Sequence, residues 1–140
     1  MIKKEFIIWN PKWATGISKI DEQHKHLVEV INKAHTINEL KKDGKELKTL
    51  LNEVTELARI HFSTEEEYFD ETEYPETEMH KEKHAELLQR VIVISNKFDK
   101  DGNPRQITEE LLHFLRDWLD NHLVKVDHKY IPWLTEHGVK

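Results

Sequence analysis

The chain has 140 residues, 34% of them charged and 37% hydrophobic, with a mean hydropathy of −0.74; this is the balance of one soluble, helix-rich domain rather than a disordered chain. A net charge of −6 lacks the basic footprint of a nucleic-acid binder, and the longest apolar runs, residues 6–9 and 91–94, fall far short of the ~20 residues a membrane span needs. Ten histidines stand against no cysteine, which excludes disulfides, thiolate zinc sites, cysteine-ligated iron–sulfur clusters and C-x-x-C-H haem attachment, so any metal must rest on His, Asp and Glu.

Residues 1–17 carry two Trp, Pro11 and Gly16 without a helical period, and read as an arm laid over the core. No signal peptide is read there, since Asn10-Pro11-Lys12 follows too short an apolar stretch; a cytoplasmic protein is expected. A first helix is expected over about 18–40, closed by the polar turn Lys41-Lys42-Asp43-Gly44. A second, over 45–71, is rich in Leu, Glu, Lys and Ala, all strong helix formers. Thr72-Glu73-Tyr74-Pro75 closes it, because the residue before proline is pushed out of the α region and Pro suits a first turn. The third helix then runs over 75–98. Residues 99–104 read as a plain turn; Asp99 to Asn103 superficially suggest a calcium loop, but Pro104 stands where such a loop needs Gly. The fourth helix, opened near Ile107 or Thr108, runs over 107–127, and Pro132 marks a break before a short C-terminal piece. Long helices on short connections predict a single all-α domain over 1–140, an antiparallel up-down-up-down four-helix bundle.

Spacings of three and four residues define the inward face of each helix. These faces read Ile20, His24, Leu27, Ile31, Ala34; then Leu47, Leu51, Val54, Ala58, His61, Glu65, flanked by Phe62 and Phe69; then His80, His84, Leu87, Val91, Ile94, Phe98; then Leu111, Leu115, Trp118, His122, Val126, with Leu119 and Leu123 alongside. Every face carries histidine into the core, whereas His26, His35, His113, His128 and His137 read as surface or boundary positions. One core histidine is usually an ordinary buried side chain; five, with a carboxylate, point to metal. His61 and Glu65 are four apart and share a face, as do His80 and His84. A carboxylate on a core stripe is costly to bury unless paired or bound to metal. Asp127 follows His122 by five residues, about 140° off that face at 100° per residue, so a ligand role for both requires a local distortion or an early helix end. Five imidazoles and two carboxylates exceed one ion's needs and suit two ions sharing carboxylates; nitrogen donors fit iron, copper, nickel or zinc.

These residues resemble the hemerythrin family, specifically its single-domain bacterial and archaeal form. The resemblance lies in Trp9, Gly16-Ile17, Ile20-Asp21-x-Gln23-His24-x-x-Leu27, His61-Phe62-x-x-Glu65-Glu66, His80-x-x-x-His84 and Trp118-Leu119-x-x-His122-x-x-x-x-Asp127-x-x-Tyr130, and covers nearly the whole chain. It implies a non-haem di-iron cofactor, with one iron held by His80, His84 and His122, the other by His24 and His61, and Glu65 and Asp127 bridging them beside an oxo or hydroxo group. It further implies that dioxygen is bound reversibly as a hydroperoxide at the two-histidine iron, with Leu27, Phe62, Trp118, Leu119 and Leu123 walling the pocket. Storage, transport or delivery of oxygen to oxygen-consuming enzymes is then the expected role, without catalysis and with a monomer favoured. Ferritin-like oxidases use four carboxylates and two histidines; five neutral imidazoles favour stopping short of O–O cleavage. The alternatives are an oxygen or redox sensor, or a peroxidase-like or nitric-oxide-handling protein on the same scaffold. A phosphotransfer bundle using His80 would leave the other core histidines unexplained. Gln23, Asp21, Tyr74 and Tyr130 are candidates to receive the outer N–H groups of ligand histidines.

Overall fold

The computed structural model describes residues 7–39, 44–101, 103–121 and 127–140. After a 3-10 turn at Pro11–Trp13, the helices are α1 (Ser18–Glu39), α2 (Gly44–Thr72), α3 (Thr77–Asp101), α4 (Pro104–Asp117) and a short α5 (Ile131–Glu136), the last preceded by a 3-10 turn over Asp127–Tyr130. Helices α1 to α4 form a ring in which each packs on the next and α4 closes on α1. Short connections between neighbours make the ring antiparallel, and pairs such as Lys48 with Asp99 and Lys97 with Glu110 join opposite ends of adjacent helices. The described residues contain no strand, and none of their helices is long and apolar enough to cross a membrane.

The element boundaries follow from local chemistry, and four differ from the sequence expectation; one is the end of α3, which runs on to Asp101 so that residues 99–101, read as part of a turn, are its last residues. The second helix ends in a left-handed cap. Glu73 takes φ 54°, Tyr74 N–H donates to Phe69 C=O at 3.0 Å, and the Tyr74 and Phe69 rings meet at 5.0 Å, the hydrophobic contact that accompanies this cap. That cap uses up Tyr74 and delays α3 to Thr77, past Pro75. The fourth helix starts earlier than Ile107: Asn103 accepts from Gln106 N–H at 3.3 Å with Pro104 in the first turn, a stronger start than Thr108. Its regular α form also ends early, at Asp117, and gives way to a π turn over residues 118–121. This is a local distortion just before His122, of the kind found often at functional sites, and Asp127 belongs to a separate 3-10 turn.

The arm is tied down by specific bonds. Asp21 accepts from Thr15 N–H at 2.7 Å, Thr15 Oγ1 at 2.8 Å and Gly16 N–H at 3.2 Å; Gly16 takes φ 83°, which a side chain would resist. Farther out, the Asn32 side chain both accepts from Ile7 N–H and donates to Ile7 C=O, each at 2.8 Å. The core falls into two parts. A large cluster includes Leu27, Ile31, Leu51, Phe62, Val91, Leu115, Trp118 and Leu119, and a smaller one comprises Ile17, Ile20, Phe69, Tyr74, Tyr130 and Leu134. Along α1 the change from one to the other occurs between Leu27 and Ile20, and along α2 between Phe62 and Phe69. A polar layer occupies the gap.

Candidate metal centre

Helix periodicity places His24 on α1, His61 and Glu65 on α2, and His80 and His84 on α3 at the same level of the bundle. All five are buried, Glu65 completely. They form two groups, His24 with His61 and Glu65, and Glu65 with His80 and His84; within each, one donor atom per residue lies within 4.8 Å of the others. Glu65 is common to both. His24 Nε2 lies 3.1 Å from His61 Nε2, and Glu65 Oε1 lies 3.1 Å from His61 Nε2 and 3.1 Å from His84 Nε2.

The outer edges of two rings fix their tautomers. Gln23 Oε1 accepts from His61 Nδ1 at 2.7 Å, while Gln23 Nε2 donates to Thr64 Oγ1 at 3.0 Å and Thr64 donates to Ile60 C=O at 2.8 Å. Glu66 Oε2 accepts from His84 Nδ1 at 2.8 Å. With each proton assigned to Nδ1 by its partner, a neutral ring turns a lone pair at Nε2 inward. These nitrogens converge on a fully buried carboxylate, 3.1 Å from both His61 and His84, a charge costly to bury that a cation in each group would offset. Nitrogen and carboxylate donors without sulfur suit iron among the transition metals, and the shared carboxylate suits two ions; the residues present therefore fit a di-iron group.

Ring packing holds the candidate ligands laterally. Phe62 stacks on His84 at 4.2 Å with 12° between planes, Phe69 meets His80 edge-on at 4.8 Å, and Tyr130 lies 5.7 Å from His80. Trp118 lies 5.3 Å from Phe62 and 6.3 Å from His61. Of the sequence-predicted pocket residues, Leu27, Phe62, Trp118 and Leu119 are buried in the large cluster; Leu123 lies outside the described residues, as does His122, and so does the side chain of Asp127.

Among the candidates for outer contacts, Gln23 takes that position, Asp21 secures the arm, and Tyr74 donates to Glu76 at 3.1 Å. Glu66 carries the contact that sequence periodicity misses. It sits one residue beyond Glu65, about 100° around the helix, and reaches His84 across the α2–α3 boundary. Only its place in the His61-Phe62-x-x-Glu65-Glu66 run signalled it.

A family model described as the hemerythrin HHE cation-binding domain matches residues 15–134. The chain belongs to the hemerythrin family. It is 30% identical to a bacteriohemerythrin of Clostridium acetobutylicum over 127 residues, covering 89% of this chain and 98% of that one. It is also 31% identical to the bacteriohemerythrin of Campylobacter jejuni over 120 residues, covering 84% of this chain and 86% of that one. The structure is similar to that of a wild-type hemerythrin, with a TM-score of 0.81 and 27% identity over 93% of this chain and 98% of that one. Membership in the hemerythrin family implies non-haem iron, in agreement with the donor set above.

Proposed function

We propose that this hemerythrin-family chain holds two irons and binds dioxygen reversibly, acting in oxygen storage, transport or delivery rather than in catalysis. The observation that carries the reading is the pair of buried His/Glu groups sharing Glu65. His80 and His84, joined by His122, would hold one iron, His24 and His61 the other, and Glu65 and Asp127 would bridge them. Two irons held there would supply the electrons needed for reversible dioxygen binding. The chain's own residues set the conditions for reversal. Gln23 and Glu66 fix the ring orientations, so little rearrangement accompanies binding. With His122 assigned to the other position, the one served by His24 and His61 would have fewer side-chain donors and would be the side open to dioxygen. Leu27, Phe62, Trp118 and Leu119, buried beside the site, exclude water whose protons would make the reaction irreversible; Leu123 is expected to join them. The preponderance of imidazole over carboxylate favours binding over oxidative turnover. The expected setting is the cytoplasm, as a monomer that serves oxygen-consuming enzymes.

The test is metal analysis of the purified protein together with absorption spectra cycled between air and anaerobic reduction. The expected result is about two irons per chain and visible bands that return through several cycles. Zinc alone, or oxidation by air with no reversible oxygenated form, refutes the reading. Sustained peroxide turnover would instead favour an enzyme.

A further inference from the structure

The ligand rings on α2 and α3 are backed by acceptors of different charge. Behind His61 stands the neutral carboxamide of Gln23, 2.7 Å from Nδ1, itself anchored on Thr64. Behind His84 stands the carboxylate of Glu66, 2.8 Å from Nδ1. An anionic acceptor draws the Nδ1 proton further than a neutral one and shifts electron density toward Nε2, so the ring becomes a stronger donor. Contacts of this type change metal affinity by about 10–100-fold. The Glu66 side chain is 30% exposed, so its field acts largely through protein rather than through water. Lys81, on the wall of the same groove, directs its ammonium to Asp70 at 3.1 and 3.3 Å.

We propose that the charge behind the ligand histidines ranks the two metal positions: Glu66 makes the His80/His84 position the tighter and first filled, and Gln23 leaves the His24/His61 position weaker and more readily exchanged. The inference rests on the two-metal reading above. A third imidazole at the His80/His84 position would favour the same order, so the order of filling does not isolate the acceptor; exchanging the charges does.

The experiment is an anaerobic titration of metal-free protein with Co(II), following the ligand-field absorption bands to obtain two stepwise constants. Glu66→Gln is expected to weaken the first constant about 10-fold and leave the second within about twofold. Gln23→Glu is expected to tighten the second by a similar factor, a gain that misfolding cannot imitate. In the metal-free protein, ¹⁵N shifts of the His84 ring are expected to place its proton on Nδ1. The proposal is overturned if neither exchange moves its own constant, if both constants shift equally, or if the His84 proton resides on Nε2. Uptake of two Co(II) ions with no response to the exchanges sinks this proposal alone; uptake of fewer than two sinks the two-metal reading with it.

Discussion

Replacing Glu65 with glutamine separates the requirements of the metal from those of the fold. Glu65 is wholly buried, with Oε1 3.1 Å from the Nε2 atoms of both His61 and His84. The outer partners Gln23 and Glu66 engage the Nδ1 edges of those rings, so without metal Glu65 is a charge buried among histidines, costly to keep. The glutamine is isosteric, removes the charge and offers N–H donors to the same nitrogens. Relief of a buried mismatch of this kind is worth about 1–3 kcal/mol, which for a domain of this size raises Tm by roughly 3–10 °C. Metal reverses the order. Fe(II) at ~100 times its dissociation constant adds about 2.7 kcal/mol per site, and Glu65→Gln loses the ligand common to both groups. Thermal unfolding by circular dichroism, with and without anaerobic Fe(II), measures both terms. The expected result is a variant more stable than the parent without metal and less stable with it. A metal-free variant that is destabilised by ~1 kcal/mol or more refutes the reasoning, because Glu65 would then be a structural partner rather than a residue kept for metal.

His61→Ala, which removes a ligand from the two-histidine position, is expected to lower iron content from about two to about one per chain and to abolish the oxygenated spectrum; retention of both irons contradicts the ligand assignment. Glu73→Gly relieves a left-handed conformation unfavourable to a side chain and is expected to stabilise the fold by ~0.5–1 kcal/mol net of the added freedom of the unfolded chain, measured by urea denaturation. Asp117 is held below its ordinary value of 3.8 by hydrogen bonds from Arg90 and Asn121, so its contribution is present above that value and is lost as pH falls through the lower folded one. Arg90→Met is therefore expected to cost under ~1 kcal/mol at neutral pH, since the two side chains are 44% and 34% exposed. That deficit shrinks in acid below about pH 4, and a deficit independent of pH would assign it to packing on Phe114 instead.

Local periodicity sufficed for much of the centre. Two pairs of candidate ligands, His61 with Glu65 and His80 with His84, are consequences of helical spacing alone, and His24 follows from its place between Ile20 and Leu27. The helix ends were less legible, because Glu73 caps α2 without a glycine and Asn103 competes with Thr108 for the start of α4. The five-residue step from His122 to Asp127 announced an interruption of regular helix; Asp127 belongs to a 3-10 turn apart from α4, and residues 122–126 lie outside the described residues.

The sequence by itself determined which side chains face inward and at what level, since a residue's face is fixed by its position in a 3.6-residue repeat. The tertiary structure alone decided that Glu65 is common to two groups, that Gln23 on α1 stands behind His61 on α2, and that Glu66 on α2 stands behind His84 on α3. These contacts join residues 18 to 38 positions apart, at helix–helix boundaries whose pairing no local period specifies. The difference in charge between the two acceptors exists only once the helices are packed.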